Sequence, residues 1–328
     1  MDISGKGKTA TIKTLLPRAC LLALVFLLTL MPLTSSAVQR HGIDVLFVLS
    51  ADSPAYRDVR NSTLERLRTH YHIEVRADTL PVDKISALNA HARNADLVVA
   101  IGTKATEALI RRPLRKPVVY VLVAESTLRK LYDCCVNATQ RGASAIVLEQ
   151  PLSLSARLIH ALLPGSRRIG VLLGPTSRQF EDRIRETLNT HDLRTSMRIG
   201  NSQHDLGPAL DHLLRDSDAI LAVPDKTVYN RQTLYRLLLA SYRRGIPVIA
   251  FSRAFVKSGA LAAVHTTPGD MGKTLADLIA EGAITRHTKL RIHYPRYFHI
   301  SINNAVASSL GLTPPDIATL TNRLKTKP

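Results

Sequence analysis

Cysteine is nearly absent: 328 residues contain Cys20, Cys134 and Cys135. Cys20 lies in an apolar leader described below, so one adjacent pair remains. Neighbouring Cα atoms stand ~3.8 Å apart, short of the roughly 4.4–6.8 Å usual across a disulfide. A disulfide framework is therefore excluded, and Cys134 and Cys135 are expected as two thiols, with a vicinal redox or metal pair as the alternative. Catalytic signatures are missing too. There is no Gly-x-Ser-x-Gly elbow, no His-Glu-x-x-His helix and no Gly-x-Gly-x-x-Gly after a strand, which argues against an enzyme. The nearest phosphate-loop imitation, Thr267 to Thr274, has Thr where the first Gly must turn, and Gly269-Asp270 reads better as a helix start. Twelve histidines are dispersed, and the pairs His70/His72 and His293/His299 lack further ligands in register, so neither metal nor cofactor is expected.

Acidic residues are scarce, 26 against 44 Lys and Arg, for a net charge of +18. No long basic block or RNA-binding aromatic signature accompanies this excess, so no nucleic-acid partner is expected. Pairs such as Arg111-Arg112, Arg167-Arg168 and Arg243-Arg244 read as solvated helix faces, with contact to an anionic lipid surface as the second reading.

Long apolar runs are confined to the start. Lys6, Lys8, Lys13 and Arg18 precede the apolar stretch Ala19–Leu30, and Ser35 and Ala37 fit a small-residue cleavage site. The run is too short for a comfortable membrane span. Residues 1–37 are expected to be a cleaved signal peptide. Cys20 stands at the beginning of the apolar core rather than after it, so no lipid anchor is expected. The chain should be exported, free in the periplasm.

From residue 43 onward the sequence alternates short apolar runs with amphipathic stretches. Ile43–Leu49, Ile73–Arg76, Asp96–Ile101, Pro117–Val123 and Ala145–Leu148 read as strands, each followed by a helix. Arg168–Leu173 restarts the series, continued by Thr195–Arg198, Ala219–Val223, Pro247–Phe251 and Leu261–Val264. Near-continuous apolar strands separated by helices imply an α/β fold with parallel sheets covered on both faces. The halves also resemble each other. Asp96, Ala100 and Lys104 of DLVVAIGTK match Asp218, Ala222 and Lys226 of DAILAVPDK, and each segment leads to a proline-led strand at Pro117 or Pro247. Two Rossmann-like lobes follow, and open parallel sheets bind ligands at the carboxyl ends of their strands.

The loops at those ends supply the candidate ligand contacts. They are Ser50, Asp52, Ser53 and Tyr56 after the first strand, Gly102, Thr103 and Lys104 after the third, and Glu125 and Ser126 after the fourth. The second half adds Thr176, Asp225, Thr227, Ser252 and Phe255. Gly102 lets a ligand approach the backbone, the helix N-terminus behind it favours an anion, and Asp225 can hold a ligand ammonium. Each residue also fits helix capping alone.

Several of these motifs resemble the periplasmic substrate-binding proteins of ABC transporters, in the branch that includes tryptophan- and tyrosine-binding members. They are Ile101-Gly-Thr-Lys-Ala105, Lys116-Pro-Val-Val119, Val223-Pro-Asp-Lys-Thr-Val-Tyr229, Ile246-Pro-Val-Ile-Ala-Phe251, Val256-Lys-Ser-Gly-Ala-Leu-Ala262 and Ile302 to Leu312. The family's Thr-Asp-Pro turn is replaced by Ala124-Glu125-Ser126, and its Tyr-x-x-x-Gly segment by His265 to Gly272. The resemblance implies a type I periplasmic-binding fold with a three-segment hinge, and a monomer that takes a small polar solute, an amino acid or carboxylate. It implies a membrane permease as partner. A sensory or accessory role, signalling to a membrane kinase or outer-membrane receptor, is the alternative, with a secreted enzyme ranked behind it. Lobe one is expected to comprise residues 43–146 and 252–281, lobe two 147–251 and 288–312, with 313–328 a C-terminal tail.

Overall fold

Strand β1 (Ile43–Leu49), with the sequence IDVLFVL, has its last five residues buried, as a strand covered on both faces requires. It lies next to the edge strand of a six-stranded sheet in a computed structural model that describes Met1 and residues 42–112, 114–135, 143–285 and 289–325, with only the backbone of Gln203. The expected signal peptide, 1–37, lies outside the described residues apart from Met1, in the unit Met1–His41. All that follows concerns the second unit, Gly42–Pro328.

In chain order the elements are β1, α1 (Pro54–Thr69), β2 (Val75–Pro81), a 3₁₀ turn at Val82–Ala87, α2 (Leu88–His91), β3 (Leu97–Ile101), α3 (Thr103–Ile110), β4 (Val118–Val123), α4 (Glu125–Cys135) and β5 (Ser144–Val147). The second series is α5 (Leu152–Leu162), β6 (Arg168–Leu173), a 3₁₀ turn at Arg178–Phe180, α6 (Glu181–Asn189), β7 (Arg194–Ile199), α7 (Gln203–Arg215), β8 (Ala219–Leu221), α8 (Arg231–Arg243) and β9 (Val248–Ala250). It closes with α9 (Arg253–Lys257), β10 (Ala262–His265), α10 (Pro268–Ala280), β11 (Arg291–His293), β12 (His299–Ile302), α11 (Asn304–Ser309) and α12 (Ile317–Lys325).

One sheet has the order β11-β5-β4-β3-β1-β2 and the other β12-β10-β9-β8-β6-β7. The first five strands of each half therefore adopt the same order, and the repeat holds at single residues. Asp96 Oδ2 accepts the Asp44 amide at 2.9 Å, pinning the start of β3 to β1. Asp218 Oδ2 accepts the amides of Arg167 and Arg168, both at 2.8 Å, pinning β8 to β6. Only β12, antiparallel to β10, departs from parallel pairing.

The chain crosses between the sheets three times, after β5, after β10 and after β11, because β11 extends the first sheet and β12 the second. These crossings divide the late segments differently from expectation. Ala262–His265 joins the second sheet, whereas α10 packs on α1 of the first lobe. Gly272 makes that packing possible: a Cβ there would lie 2.4 Å from the Val59 carbonyl, and Thr63 Oγ1 donates to the Gly272 carbonyl at 3.1 Å. The phosphate-loop imitation is thus the first turns of α10, with Thr267 as N-cap and Asp270 completing a capping box.

Three further differences have local causes. The helix expected after Ile73–Arg76 is a 3₁₀ turn and one short helical turn, because β2 runs on to Pro81 at the sheet edge, where a missing amide is tolerated. Cys134 and Cys135 are joined by a disulfide across a Cα separation of 3.7 Å, contrary to the expected pair of thiols. Side-chain rotation brings the two sulfurs together although the backbone spacing stays that of one peptide. The C-terminal tail is no tail: Leu320 and Leu324 of α12 are buried in the second lobe's core beside Leu158, Leu162 and Ile300.

Candidate ligand-binding cleft

A cleft of about 770 Å³ opens at the carboxyl ends of the second sheet. Its walls come from Ala222–Pro224 after β8, Phe251–Arg253 after β9 and Val264–Pro268 at the end of β10 and beyond, with Phe180, Arg183 and Ile184 around α6. The first lobe contributes Ala124 and Glu125, and the crossings contribute Leu148–Leu152 and Tyr294. A hollow of similar volume lies along the edge strand β12, and a smaller one at the amino ends of β1 and β2. Neither occupies the carboxyl-end crevice where this sheet order places ligands.

Glu125 joins the lobes. Its carboxylate is 1% exposed. Arg183 of α6 approaches it with two nitrogens, Nη1 at 2.8 Å from Oε1 and Nη2 at 3.0 Å from Oε2. Arg129 donates at 2.9 Å from the next turn of α4, and the Tyr294 hydroxyl donates at 3.1 Å. Burial pushes the Glu125 carboxyl up, but the bonds from Arg183 and Arg129 more than offset it and hold it below the usual carboxylate value. Arg183 also lies 4.5 Å from the Phe180 ring centroid. Tyr294, half-buried beside Glu125, has its hydroxyl pushed up to about 12. Just before Glu125, β4 carries a register shift, with Leu122 at φ 61°.

A double-mutant cycle of Arg183→Met and Glu125→Gln is expected to give a coupling of roughly 1–3 kcal/mol at pH 7. The carboxylate's contribution is present above the usual Glu value and fades as pH falls through its depressed value. Urea unfolding at pH 7 and pH 4 reads it; additivity at pH 7 would remove the cross-lobe role of the pair.

Of the residues expected at the site, Glu125 and Ser252 line this cleft. Ser252 also caps α9, accepting the Phe255 amide at 3.3 Å, and Phe255 packs in an aromatic cluster with Tyr229 and Phe251. Asp225, expected to hold an ammonium, is 5% exposed and committed internally. Oδ2 accepts Thr176 N at 3.0 Å, Thr176 Oγ1 at 2.8 Å, Ser177 N at 2.8 Å and Ser177 Oγ at 3.0 Å, and Oδ1 accepts Thr227 N at 2.8 Å. Thr176 and Thr227 are thereby partners of Asp225, and the three residues tie the loop after β6 to the loop after β8.

The first-lobe set forms a separate cluster. Ser50 Oγ accepts the Ala105 amide at 2.8 Å, and Gly102, at φ 89°, presses against Ser50 and the Tyr56 ring so closely that a Cβ would lie within 2.8 Å of both. Ser53 caps α1, accepting the Tyr56 amide at 3.4 Å, and Asp52 forms an exposed ion pair with Arg57. Thr103 and Lys104 stand exposed on the first turn of α3, and Ser126 is half-buried on the first turn of α4. Glu149, Arg183 and Tyr294 had not been expected. Arg183 looks like any other helix arginine. Glu149-Gln150-Pro151, however, is a polar break where the repeat restarts, and that is the signal of a crossing.

This geometry belongs to a known family. A family model described as ABC transporter substrate binding protein matches residues 77–320. The chain belongs to this family. A ligand-free, open substrate-binding protein with adhesive properties from Clostridium difficile superposes with a TM-score of 0.64 at 16% identity, covering 84% of this chain and 96% of that one. An ABC domain from Streptococcus pneumonia in complex with L-Trp gives 0.53 at 18% identity over 86% and 98% of the two chains. A conserved domain protein from Vibrio cholerae gives 0.54 at 20% identity with the same coverage. No curated protein matches. The fold of this substrate-binding protein is accordingly the type I periplasmic-binding arrangement of two α/β lobes joined by a hinge. Among its described residues no helix is long and apolar enough to cross a membrane, and no group of three or more His, Cys, Asp or Glu is placed to hold a metal ion.

Proposed function

We propose that this chain is the periplasmic solute-binding component of an ABC-type uptake system, binding an amino acid or carboxylate between its lobes. The observation that carries the reading is the cleft at the strand ends, walled by both lobes and by their crossings. A solute touching both walls stabilises the closed arrangement in proportion to its differential affinity for it, and closure offers a membrane permease a new surface. Phe180, Phe251 and Tyr294 give the cleft apolar walls, so an amino acid with an apolar side chain is the first candidate. The pneumococcal relative with L-Trp supports the same choice. On this reading the protein is exported without a lipid anchor, works as a monomer and binds rather than turns over its solute.

The test is a thermal-shift screen of the twenty common amino acids, simple carboxylates and sugars. A ligand at a hundredfold excess over its Kd is expected to add about 2.7 kcal/mol of stability and to raise Tm by several degrees. A flat response to the whole panel would defeat the proposal.

A further inference from the structure

We propose that Glu149, with Gln150 beside it, recognises a protonated amine on the ligand; the inference rests on the solute-binding reading above. Glu149 sits on the crossing after β5 and lines the cleft. Both its carboxylate oxygens receive the backbone amide of Glu125, at 3.1 and 3.0 Å. Among the described residues it forms no ion pair, because the nearby guanidinium, Arg183, is committed to both oxygens of Glu125. Gln150 also lines the cleft. Its Nε2 donates to the Tyr297 carbonyl at 3.4 Å, while its buried Oε1 accepts no hydrogen bond among the described residues.

Glu149, a carboxylate with no ion pair among the described residues, and the next residue, Gln150, whose amide oxygen accepts no hydrogen bond among them, both line the cleft and favour a group that only donates. An ammonium is such a group. Once Glu149 is ionised, a carboxylate placed there would meet like charge and an oxygen with no proton to offer. The chemistry of the lining thus divides the solute classes: an amine-bearing ligand is accepted at this corner and a purely anionic one is not.

A consequence follows for pH. Burial raises Glu149 to about 7, and Glu125 adds to the rise. The groups facing it are Glu125 on α4, Arg183 on α6 and Tyr294 after β11, with Arg253 and His265 also on the cleft wall. Near pH 6 much of the free protein carries a proton on Glu149. An ammonium favours the ionised carboxylate, so binding releases that proton and affinity rises with pH until Glu149 is fully ionised. His265, kept low by burial and by His299, sheds any positive charge over the same direction of pH, so the contribution of Glu149 is isolated by substitution.

The experiment uses the mature full chain, the twenty common amino acids, phenethylamine, putrescine, 3-phenylpropionate, benzoate and D-ribose. Binding is measured by calorimetry at pH 6 and pH 8 on wild type and Glu149→Gln. The variant keeps an acceptor for the Glu125 amide, and its melting curve checks the fold. The expected result is that the compounds that bind carry an amine and that Glu149→Gln weakens them roughly tenfold to a hundredfold. Wild type is also expected to bind them more weakly at pH 6, with proton release in buffers of different ionisation enthalpy, and Glu149→Gln to lose that release. Binding confined to 3-phenylpropionate, benzoate or D-ribose would overturn the assignment and leave the solute-binding reading standing. Amine affinity unchanged in Glu149→Gln would overturn it likewise. No binding by any compound would bring down both.

Discussion

Asp225→Asn is expected to destabilise the protein by about 3 kcal/mol at pH 7, because hydrogen bonds to a buried ionised carboxylate are among the stronger ones. The sequence alone suggests the opposite, a loss of ligand binding in a protein that stays folded. Structure reverses that expectation through the accounting of lone pairs. Amides of Thr176, Ser177 and Thr227 and the hydroxyls of Thr176 and Ser177 all converge on the one carboxylate. Gly174 accommodates it: a Cβ at Gly174 would come within 2.4 Å of Oδ1. Burial raises the Asp225 carboxyl, but these donors more than compensate and hold it below the usual value. A depressed carboxylate contributes stability above its unfolded value and loses it as pH falls through its folded one. The gap between wild type and Asp225→Asn is therefore expected to be widest at neutral pH and to close towards pH 3. Chemical unfolding at pH 7, 5 and 3 measures it. A variant as stable as wild type at pH 7 would show that Asp225 is free to serve a ligand.

Leu320→Ala is expected to cost roughly 2–5 kcal/mol, the range for truncating a buried leucine. At roughly 2 °C or more per kcal/mol for chains of this size, Tm falls by several degrees. Leu320 is 0% exposed and packs with Leu324 against α5 and β12. Deleting residues 317–328 removes both leucines and opens the second lobe's core to solvent, so that protein is expected to be recovered mainly unfolded or aggregated. Thr321, half-buried on the same helix, supplies the control: Thr321→Ala should shift Tm much less than Leu320→Ala. If the deletion melted like wild type, α12 would be a dispensable appendage after all.

Burial explains why α12 is hard to see in the sequence. IATLTNRLK holds Leu320 and Leu324 one turn apart, a short pattern that fits a surface tail as well as a docked helix. Strands β11 and β12 are equally obscure, three and four residues long, the one ending at His293 and the other starting at His299. Long buried strands are plain by contrast. IDVLFVL, LVVAI and VVYVLV announce themselves by uninterrupted apolar residues, and the repeat around Asp96 and Asp218 announces the second lobe.

The site divides along the same line. Loops after strands were legible as loops, because strand ends, Gly102 and the caps Ser53 and Ser252 have local signatures. Which of those loops face a common cleft was not legible, since that depends on where the chain crosses between sheets. Ser50, Tyr56 and Gly102 fold onto one another, Asp225 turns inward, and the cleft receives Glu125, Arg183 and Glu149 from elements widely separated in sequence.

Sequence by itself determined the α/β class, the two-lobed repeat and the family, because hydrophobic periodicity and short motifs are local properties. Tertiary structure alone decided that Asp225 staples loops, that Glu125 and Arg183 bridge the lobes and that Glu149 lines the cleft with no ion pair among the described residues. Whether a charged side chain serves the fold or a ligand depends on which donors and charges the folded chain brings to it from elsewhere, and local sequence carries no record of those partners.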